Sequence, residues 1–210
     1  KSLNFFFKKT DCEVVPVKEN LIDRIWNKSK KNKIFKFYKL PEKAVDKKVK
    51  QKIDEITYDM KKKGADFKFI TSSENNAWLF NIRGKDASYT PLTNCYVLID
   101  IKKKIYFFCD LKKISVSFKN KFKSVKFINI NLVEKILSKI LNKKFLIDAD
   151  TCSFFFENII SKNNTILSKI DNIYLVKSIK SKKEINNIRQ AHIYDGAALT
   201  KYLFWLKKNF

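Results

Sequence analysis

The sequence predicts an α/β fold in which helices cover a layered sheet. Short runs rich in Phe, Ile, Val and Tyr alternate along the chain with segments in which apolar residues recur every three or four positions. Strands that alternate with helical segments are typical of α/β layering. The hydrophobic fraction of the 210 residues is 45%, and 19 of them are Phe, so the chain has enough apolar volume for a buried core.

The first part of the chain carries short signals. Residues 12–17, CEVVPV, favour a strand that ends near Pro16. Asn20 is well placed as the N-cap of a helix over LIDRIW, because its short side chain can accept a hydrogen bond from the first helical turn. Residues 27–43 are rich in Lys and irregular, which indicates a surface loop.

The clearest helix is predicted over residues 43–63. Gly64 follows it as a C-terminal cap, since glycine adopts the left-handed conformation that ends many helices. A strand is then predicted over residues 67–71, where apolar and polar residues alternate. The helix carries one apolar stripe at spacings of three and four residues, formed by Val45, Val49, Ile53, Ile56 and Met60.

The rest of the chain continues the alternation of strands and helices up to a Lys- and Ser-rich break at residues 178–183. The predicted elements are strands at 96–101, 104–110 and 125–130, a helix at 131–142, a strand at 145–148, a helix at 153–160 and a helical or linking segment at 173–179. A long helix follows at 184–206, and its apolar face has no partner in the sequence given. We expect that face to belong with a further domain.

The net charge of +24 has two interpretations. Lys, Asn, Ile and Phe share A- and T-rich codons, so a mutational bias would enrich them together. The alternative is a surface that binds polyanions. Of the 45 Lys and Arg residues only three are Arg, and Arg is the residue that reads bases bidentately. The sequence therefore predicts no specific nucleic-acid binding.

The four cysteines and the single histidine are spaced too widely for a zinc site. We expect the cysteines to be small buried apolar residues in a reducing compartment. His192 is expected to be an ordinary helix histidine. Asp148 and Asp150 follow a strand and predict a turn and a helix cap, because no third metal ligand is near them. No run reaches the ~18 apolar residues that a membrane helix needs.

The segment NNAWLFNIRGKD, residues 75–86, concentrates rare residues. Its Trp78, Leu79 and Phe80 are predicted to be mainly core. Gly84 predicts a tight turn that holds Arg83. The expected partner of Arg83 is Asp86, and the alternative partners are a peptide carboxylate or an opposite domain.

Three segments together resemble Xaa-Pro aminopeptidases of the three-domain cytosolic type. They are VPVKENLIDRIW at 15–26, SSENNAWLFNIRGKDASYTP at 72–91 and EINNIRQAHIYDGAALTKYLFWL at 184–206. Their order and spacing agree with that family over essentially the whole chain. Two positions depart from the usual pattern: Lys85 replaces a small residue, and Thr90 stands where Asn is common.

The resemblance implies a domain layout. Residues 1–12 are the tail of a preceding domain. Residues 13–180 are a non-catalytic domain of the creatinase/prolidase N-terminal type, a mixed β-sheet flanked by helices. Residues 181–210 start a catalytic domain of the pita-bread type.

The resemblance also implies a function for the parent protein, a metallopeptidase that removes the N-terminal residue from peptides with proline at position two. Such enzymes use two divalent metal ions, commonly manganese. They are cytoplasmic, form homodimers through the catalytic domain, and are bound to neither a membrane nor a specific nucleic acid.

On this chain the resemblance assigns no catalytic and no metal-binding residue. Trp78 and Arg83 become candidates for the substrate cleft, which this segment would cover to limit substrate access without being active alone. The alternative is a non-catalytic interaction or polyanion-binding protein derived from the same family.

Overall fold

The computed structural model describes residues 6–8, 10–15, 17, 19–25 and 34–210. The chain divides into two compact units, Lys1–Lys33 and Ile34–Phe210. In the first unit, helix α1 spans Leu21–Ile25, and the side chain of Asn20 accepts a 3.0 Å hydrogen bond from the backbone of Ile22. The predicted cap is therefore confirmed.

The strand prediction for residues 12–17 is wrong for the residues that are described. Residues 12–15 and 17 form no strand and are exposed. A strand gains its stability from pairing and from a buried face, and this segment has neither. Pro16 and Trp26 lie outside the described residues.

The second unit contains the layered sheet. The strands of this unit are β1 (Tyr38–Lys39), β2 (Phe67–Ile70), β3 (Ile82–Arg83), β4 (Tyr96–Asp100), β5 (Ile105–Cys109), β6 (Val125–Asn129), β7 (Lys144–Ile147) and β8 (Thr165–Ser168). Its helices are α2 (Val49–Lys62), α3 (Ser73–Leu79), α4 (Val116–Asn120), α5 (Val133–Leu137), α6 (Phe154–Ser161), α7 (Ile173–Ser178) and α8 (Lys182–Asn209). Short 3₁₀ turns lie at Glu42–Ala44, Leu111–Lys113 and Ile130–Leu132.

The main sheet is mixed, as predicted. Its six strands run in the order β6-β5-β4-β2-β7-β8. Strand β4 pairs antiparallel with both of its neighbours, β2 and β5. The remaining neighbouring pairs, β5–β6, β2–β7 and β7–β8, are parallel. A separate two-stranded pairing joins β1 to β3.

Helices cover both faces of this sheet, because successive strand residues point to opposite sides. In β4, Val97 and Ile99 join one core cluster while Leu98 joins the other. The first cluster includes Ile53, Ile56 and Met60 of α2 together with residues of α3, α4 and α7. The second cluster packs α5 and α6 against the opposite face. The predicted α/β layering is confirmed.

Helix α2 begins later than predicted. It starts at Val49, where the backbone N–H of Lys48 donates to Gln51 Oε1 in a capping box. Residues 42–44 form a separate 3₁₀ turn that follows Pro41. The predicted end is confirmed, because Gly64 adopts a φ of +65° directly after the helix.

Some elements differ from their predictions. The helix predicted at 131–142 is divided into a 3₁₀ turn and the short helix α5. Segment 173–179, predicted as helical or linking, forms α7. Strands β1, β3 and β8 and helices α3 and α4 were not predicted.

Three of the four cysteines are buried as predicted, and Cys12 is exposed. Burial raises the pKa of each buried thiol, Cys95, Cys109 and Cys152, to about 12. These thiols are therefore protonated near neutral pH and pack as small apolar groups.

The long helix α8 begins with a capping box in which Ser181 and Glu184 exchange hydrogen bonds. Its large apolar side chains are exposed, in agreement with the predicted unpaired face, and they include Ile193, Leu199, Leu203, Phe204 and Trp205. Among the described residues, no helix combines the length and the apolar character needed to cross a bilayer.

Candidate functional site

Trp78 lies on helix α3, whose position is fixed by an N-cap and by one buried polar side chain that reaches the sheet. The hydroxyl of Ser72 caps the helix by accepting from the backbone of Asn75 at 3.4 Å. The fully buried Asn76 donates to the carbonyl oxygens of Ile70 and Cys95. Asn76 thus ties the helix to the ends of two neighbouring strands, β2 and β4, which fixes the position of Trp78.

The turn after this helix is formed by Asn81, which adopts a φ of +52°. Asparagine tolerates this left-handed conformation better than most residues. The buried side chain of Asn81 accepts a 2.6 Å hydrogen bond from Lys52 Nζ and donates to the carbonyl of Lys47 at 3.0 Å. The prediction that Gly84 makes the turn is therefore wrong.

Gly84 is required for a close approach between backbone segments. Its N–H donates to the carbonyl of Pro91 at 3.2 Å. A Cβ atom added to Gly84 would lie 2.7 Å from the carbonyl oxygen of Leu92 and 3.1 Å from side-chain atoms of Phe37 and Thr93. Any larger residue here would push the two segments apart.

Arg83 does not pair with Asp86, contrary to the prediction. Its Nη1 donates to the carbonyl oxygens of Ile82 at 2.8 Å and Ala77 at 3.4 Å. Asp86 instead pairs with Lys113 at 2.7 Å. Asp86 also accepts from the backbone N–H of Asn94 at 2.7 Å, so both side chains have other partners.

The ring of Trp78 packs against the buried ammonium group of Lys52. Lys52 Nζ lies 3.7 Å from the centroid of the Trp78 ring and donates to the Trp78 carbonyl at 2.6 Å. Only 3% of Lys52 is exposed. Burial lowers the pKa of Lys52 to about 8, although the charge of Glu184 acts in the opposite direction.

A cavity of about 350 Å³ opens beside this lysine. Helices α2 and α3 supply Lys52, Glu55 and Trp78, and the turn between α7 and α8 supplies much of the opposite wall. Of the two cleft candidates, Trp78 lines this cavity and Arg83 does not; the Arg83 guanidinium instead donates to the carbonyl of Ala77.

A buried ion pair that the sequence did not predict connects the sheet to helix α7. Lys68 Nζ lies 2.8 Å from Asp171, and their side chains are 5% and 4% exposed. Asp171 also accepts from Asn75 Nδ2 at 2.9 Å and from the backbone of Ile173. One sequence signal could have indicated this pair: Lys68 lies between apolar residues in the middle of a strand, and a buried lysine needs a partner.

Asp148 forms the predicted turn at the end of β7. Its carboxylate accepts from the backbone N–H groups of Asp150 and Asp171, each at 3.0 Å. The predicted helix cap is supplied by Ser153 instead, which accepts from the backbone of Phe156.

The described residues do not fit a two-metal centre. No three His, Cys, Asp or Glu side chains in this part of the chain lie close enough together to hold a metal ion. His192 and Asp195 are exposed on α8.

Comparison with known proteins gives a consistent result. The profile of the creatinase/prolidase N-terminal domain matches residues 28–184. Xaa-Pro aminopeptidase 1 of Dictyostelium discoideum is 33% identical over 205 residues, which are 91% of this chain and 31% of that protein. Xaa-Pro aminopeptidase ApepP of Drosophila melanogaster is 27% identical over 219 residues, covering 99% of this chain and 35% of that protein.

A solved structure has the same fold. The X-prolyl aminopeptidase of Caenorhabditis elegans, described as a cytosolic enzyme with a di-nuclear active site, superimposes with a TM-score of 0.86 at 22% identity over 99% of this chain and 35% of that one. The chain thus spans about one third of the length of these relatives. By the profile match over most of its length, the chain belongs to the creatinase/prolidase N-terminal domain family, and its relatives within that family are Xaa-Pro aminopeptidases.

Proposed function

We propose that this chain is a non-catalytic part of a metal-dependent Xaa-Pro aminopeptidase, which removes the N-terminal residue from peptides with proline at position two. The observation that carries the proposal is the profile match over residues 28–184, combined with the likeness to the Xaa-Pro aminopeptidases named above. In this proposal residues 1–12 are the tail of a preceding domain, residues 13–180 are a non-catalytic domain of the creatinase/prolidase N-terminal type, and residues 181–210 start the catalytic domain.

In this proposal, hydrolysis of the peptide bond is carried out by residues of the parent enzyme that are not part of this chain. Residues outside this chain would hold two divalent metal ions, manganese in this proposal, whose chemistry would be activation of a water molecule and polarisation of the scissile carbonyl. The part described here takes no direct role in that step. The parent enzyme is proposed to be a cytoplasmic homodimer that assembles through its catalytic domain.

The role of this chain is to cover the active-site cleft and to limit access to short peptides. A cover of this kind excludes water and positions the substrate. Trp78, at the mouth of a cavity, and Arg83 are the proposed cleft residues. The exposed apolar side chains of Lys182–Asn209 support contact with further protein, because patches of this kind mark interaction surfaces.

The test uses the polypeptide encoded by the complete open reading frame, assayed with manganese. We expect it to release the N-terminal arginine from Arg-Pro-Pro with a kcat/KM at least about tenfold above that for Arg-Ala-Ala, a difference of ~1.4 kcal/mol in transition-state stabilisation. We also expect kcat/KM to fall as the peptide is extended beyond a few residues. Equal cleavage of both tripeptides would refute the specificity, and cleavage independent of peptide length would refute the covering role.

A further inference from the structure

Lys52 is a buried lysine whose ammonium group forms no ion pair with any residue that the structure describes. The structure describes two other largely buried lysines that each contact a carboxylate: Lys68 pairs with Asp171 at 2.8 Å and Lys113 pairs with Asp86 at 2.7 Å. Lys52 is at least as buried as either of them, yet no described carboxylate lies within ion-pair distance of its ammonium group. Buried charges in proteins are ordinarily paired, so Lys52 is the exception to explain.

The described contacts of the Lys52 ammonium, two hydrogen bonds and the face of the Trp78 ring, are all with neutral groups. Two hydrogen bonds of 2.6 Å go to neutral oxygens, the carbonyl of Trp78 and Oδ1 of Asn81. An ammonium group has three donors, and no third hydrogen bond is formed within the described residues. Burial lowers the pKa of Lys52 to about 8, against the raising effect of the Glu184 charge.

The cavity beside Lys52 is suited to a small molecule. Its volume of about 350 Å³ lies at the lower end of the ~300–1,000 Å³ that ligand pockets occupy. Apolar wall is provided by Trp78, Leu175 and Ile179. A suitable ligand would have a compact apolar body, which packs against these side chains, and one acidic end, which pairs with the Lys52 ammonium.

Three acidic residues line the cavity: Asp46, Glu55 and Glu184. None of them forms an ion pair with Lys52, although the charges of Glu184 and Glu55 raise its pKa. Glu55 is paired with Lys47 at 2.7 Å. Glu184 accepts from the backbone of Ser181 at 2.9 Å as part of the capping box of α8. Moving either carboxylate to Lys52 would break an interaction that the fold already uses.

We propose that this cavity binds a small carboxylate ligand, with the carboxylate paired to the Lys52 ammonium and an apolar body packed against Trp78 and Ile179. The inference rests on the cavity and its cation and does not depend on the proposed peptidase activity. Binding is therefore measured on the 210-residue chain itself, without an assay of catalysis.

The first experiment compares 3-phenylpropionate with its neutral amide, 3-phenylpropionamide, by calorimetric titration near neutral pH. We expect saturable binding of the acid and at least tenfold weaker binding of the amide, because only the acid can pair with the ammonium. Equal binding of the two probes, or no binding of the acid, would overturn the proposal.

The second experiment places the ligand with matched variants. Ile179 and Ile170 are each 74% exposed, but only Ile179 lines the cavity. We expect Ile179→Glu to weaken binding of 3-phenylpropionate at least tenfold, since it adds a negative charge at the mouth, and Ile170→Glu to leave it unchanged. Equal effects of the two variants would contradict the assignment.

The third experiment follows Lys52 directly. The ε-carbon resonance of Lys52, identified by its loss in Lys52→Met, should titrate near pH 8 in the free protein and at a higher pH with 3-phenylpropionate bound. A midpoint that the ligand does not move would overturn the pairing. Should Lys52→Met fail to fold, the Ile179 and Ile170 variants and the amide comparison still decide the result.

Discussion

Replacing Asp171 by asparagine is expected to lower the free energy of unfolding by about 3–5 kcal/mol, because it leaves the charge of Lys68 buried without a counter-charge. The two side chains are 5% and 4% exposed, so water cannot take the place of the carboxylate. This loss is a large fraction of the ~5–15 kcal/mol by which domains are usually stable. The measurement is urea unfolding followed by circular dichroism.

The matched control for Asp171→Asn is Asp59→Asn. Asp59 also contacts a lysine, Lys63, at 2.7 Å, but these side chains are 22% and 31% exposed and lie one helical turn apart. Such a pair contributes only about 0.3–0.5 kcal/mol. The double variant Lys68→Met with Asp171→Asn should recover part of the loss, because no charge is then left buried. A similar small loss for both single variants would show that the buried pair is not what holds helix α7 to the sheet.

Replacing Gly84 by alanine is expected to destabilise the fold by about 1–3 kcal/mol, the usual cost of overpacking a well-packed site. The new Cβ would meet the carbonyl oxygen of Leu92 at 2.7 Å. This oxygen belongs to the backbone and cannot rotate away, so the strand β3 or the segment opposite must shift. The measurement is the midpoint of urea unfolding at constant m-value.

The control for Gly84→Ala is Gly196→Ala. An added Cβ at Gly196 has no atom within 4 Å, and the residue lies inside helix α8. Alanine is favoured over glycine in a helix interior by about 1 kcal/mol, so this variant should be neutral or slightly stabilising. A Gly84→Ala protein as stable as Gly196→Ala would disprove the close approach.

The sheet and the main helix could be predicted because their signals are local. Helix α2 repeats apolar residues every three or four positions, and the strands β2, β4, β5, β6 and β7 are rich in aromatic and branched residues. Strand β8, Thr165–Ser168, is half polar and lies at the sheet edge. Strand β8 forms because it pairs with β7. Its own four residues carry no strand pattern from which that pairing could be predicted.

Helix α3 was missed for a similar reason. Its sequence, SENNAWL, has no apolar stripe. It is held by the Ser72 cap and by the buried Asn76, whose amide reaches carbonyl groups of two strands. The Ser72 cap is local, but the contacts of Asn76 depend on the tertiary fold.

The candidate site was only half predictable. Trp78 was singled out by its rarity in the sequence, but its partner Lys52 was not. A weak signal existed, because position 52 falls three residues after Val49 and four before Ile56 and so lies beside the apolar stripe of α2. A lysine at such a position normally extends its charge into water. Its burial here results from Trp78 and Asn81, which come from another helix and from the turn that follows it.

The proposal that this chain is a folded, non-catalytic part of an Xaa-Pro aminopeptidase is tested by hydrolysis of Arg-Pro-Pro in the presence of manganese. The purified 210-residue chain is assayed beside the product of the complete open reading frame. We expect the complete product to release arginine and the chain alone to release none above the buffer rate. Turnover by the chain alone would contradict the proposal.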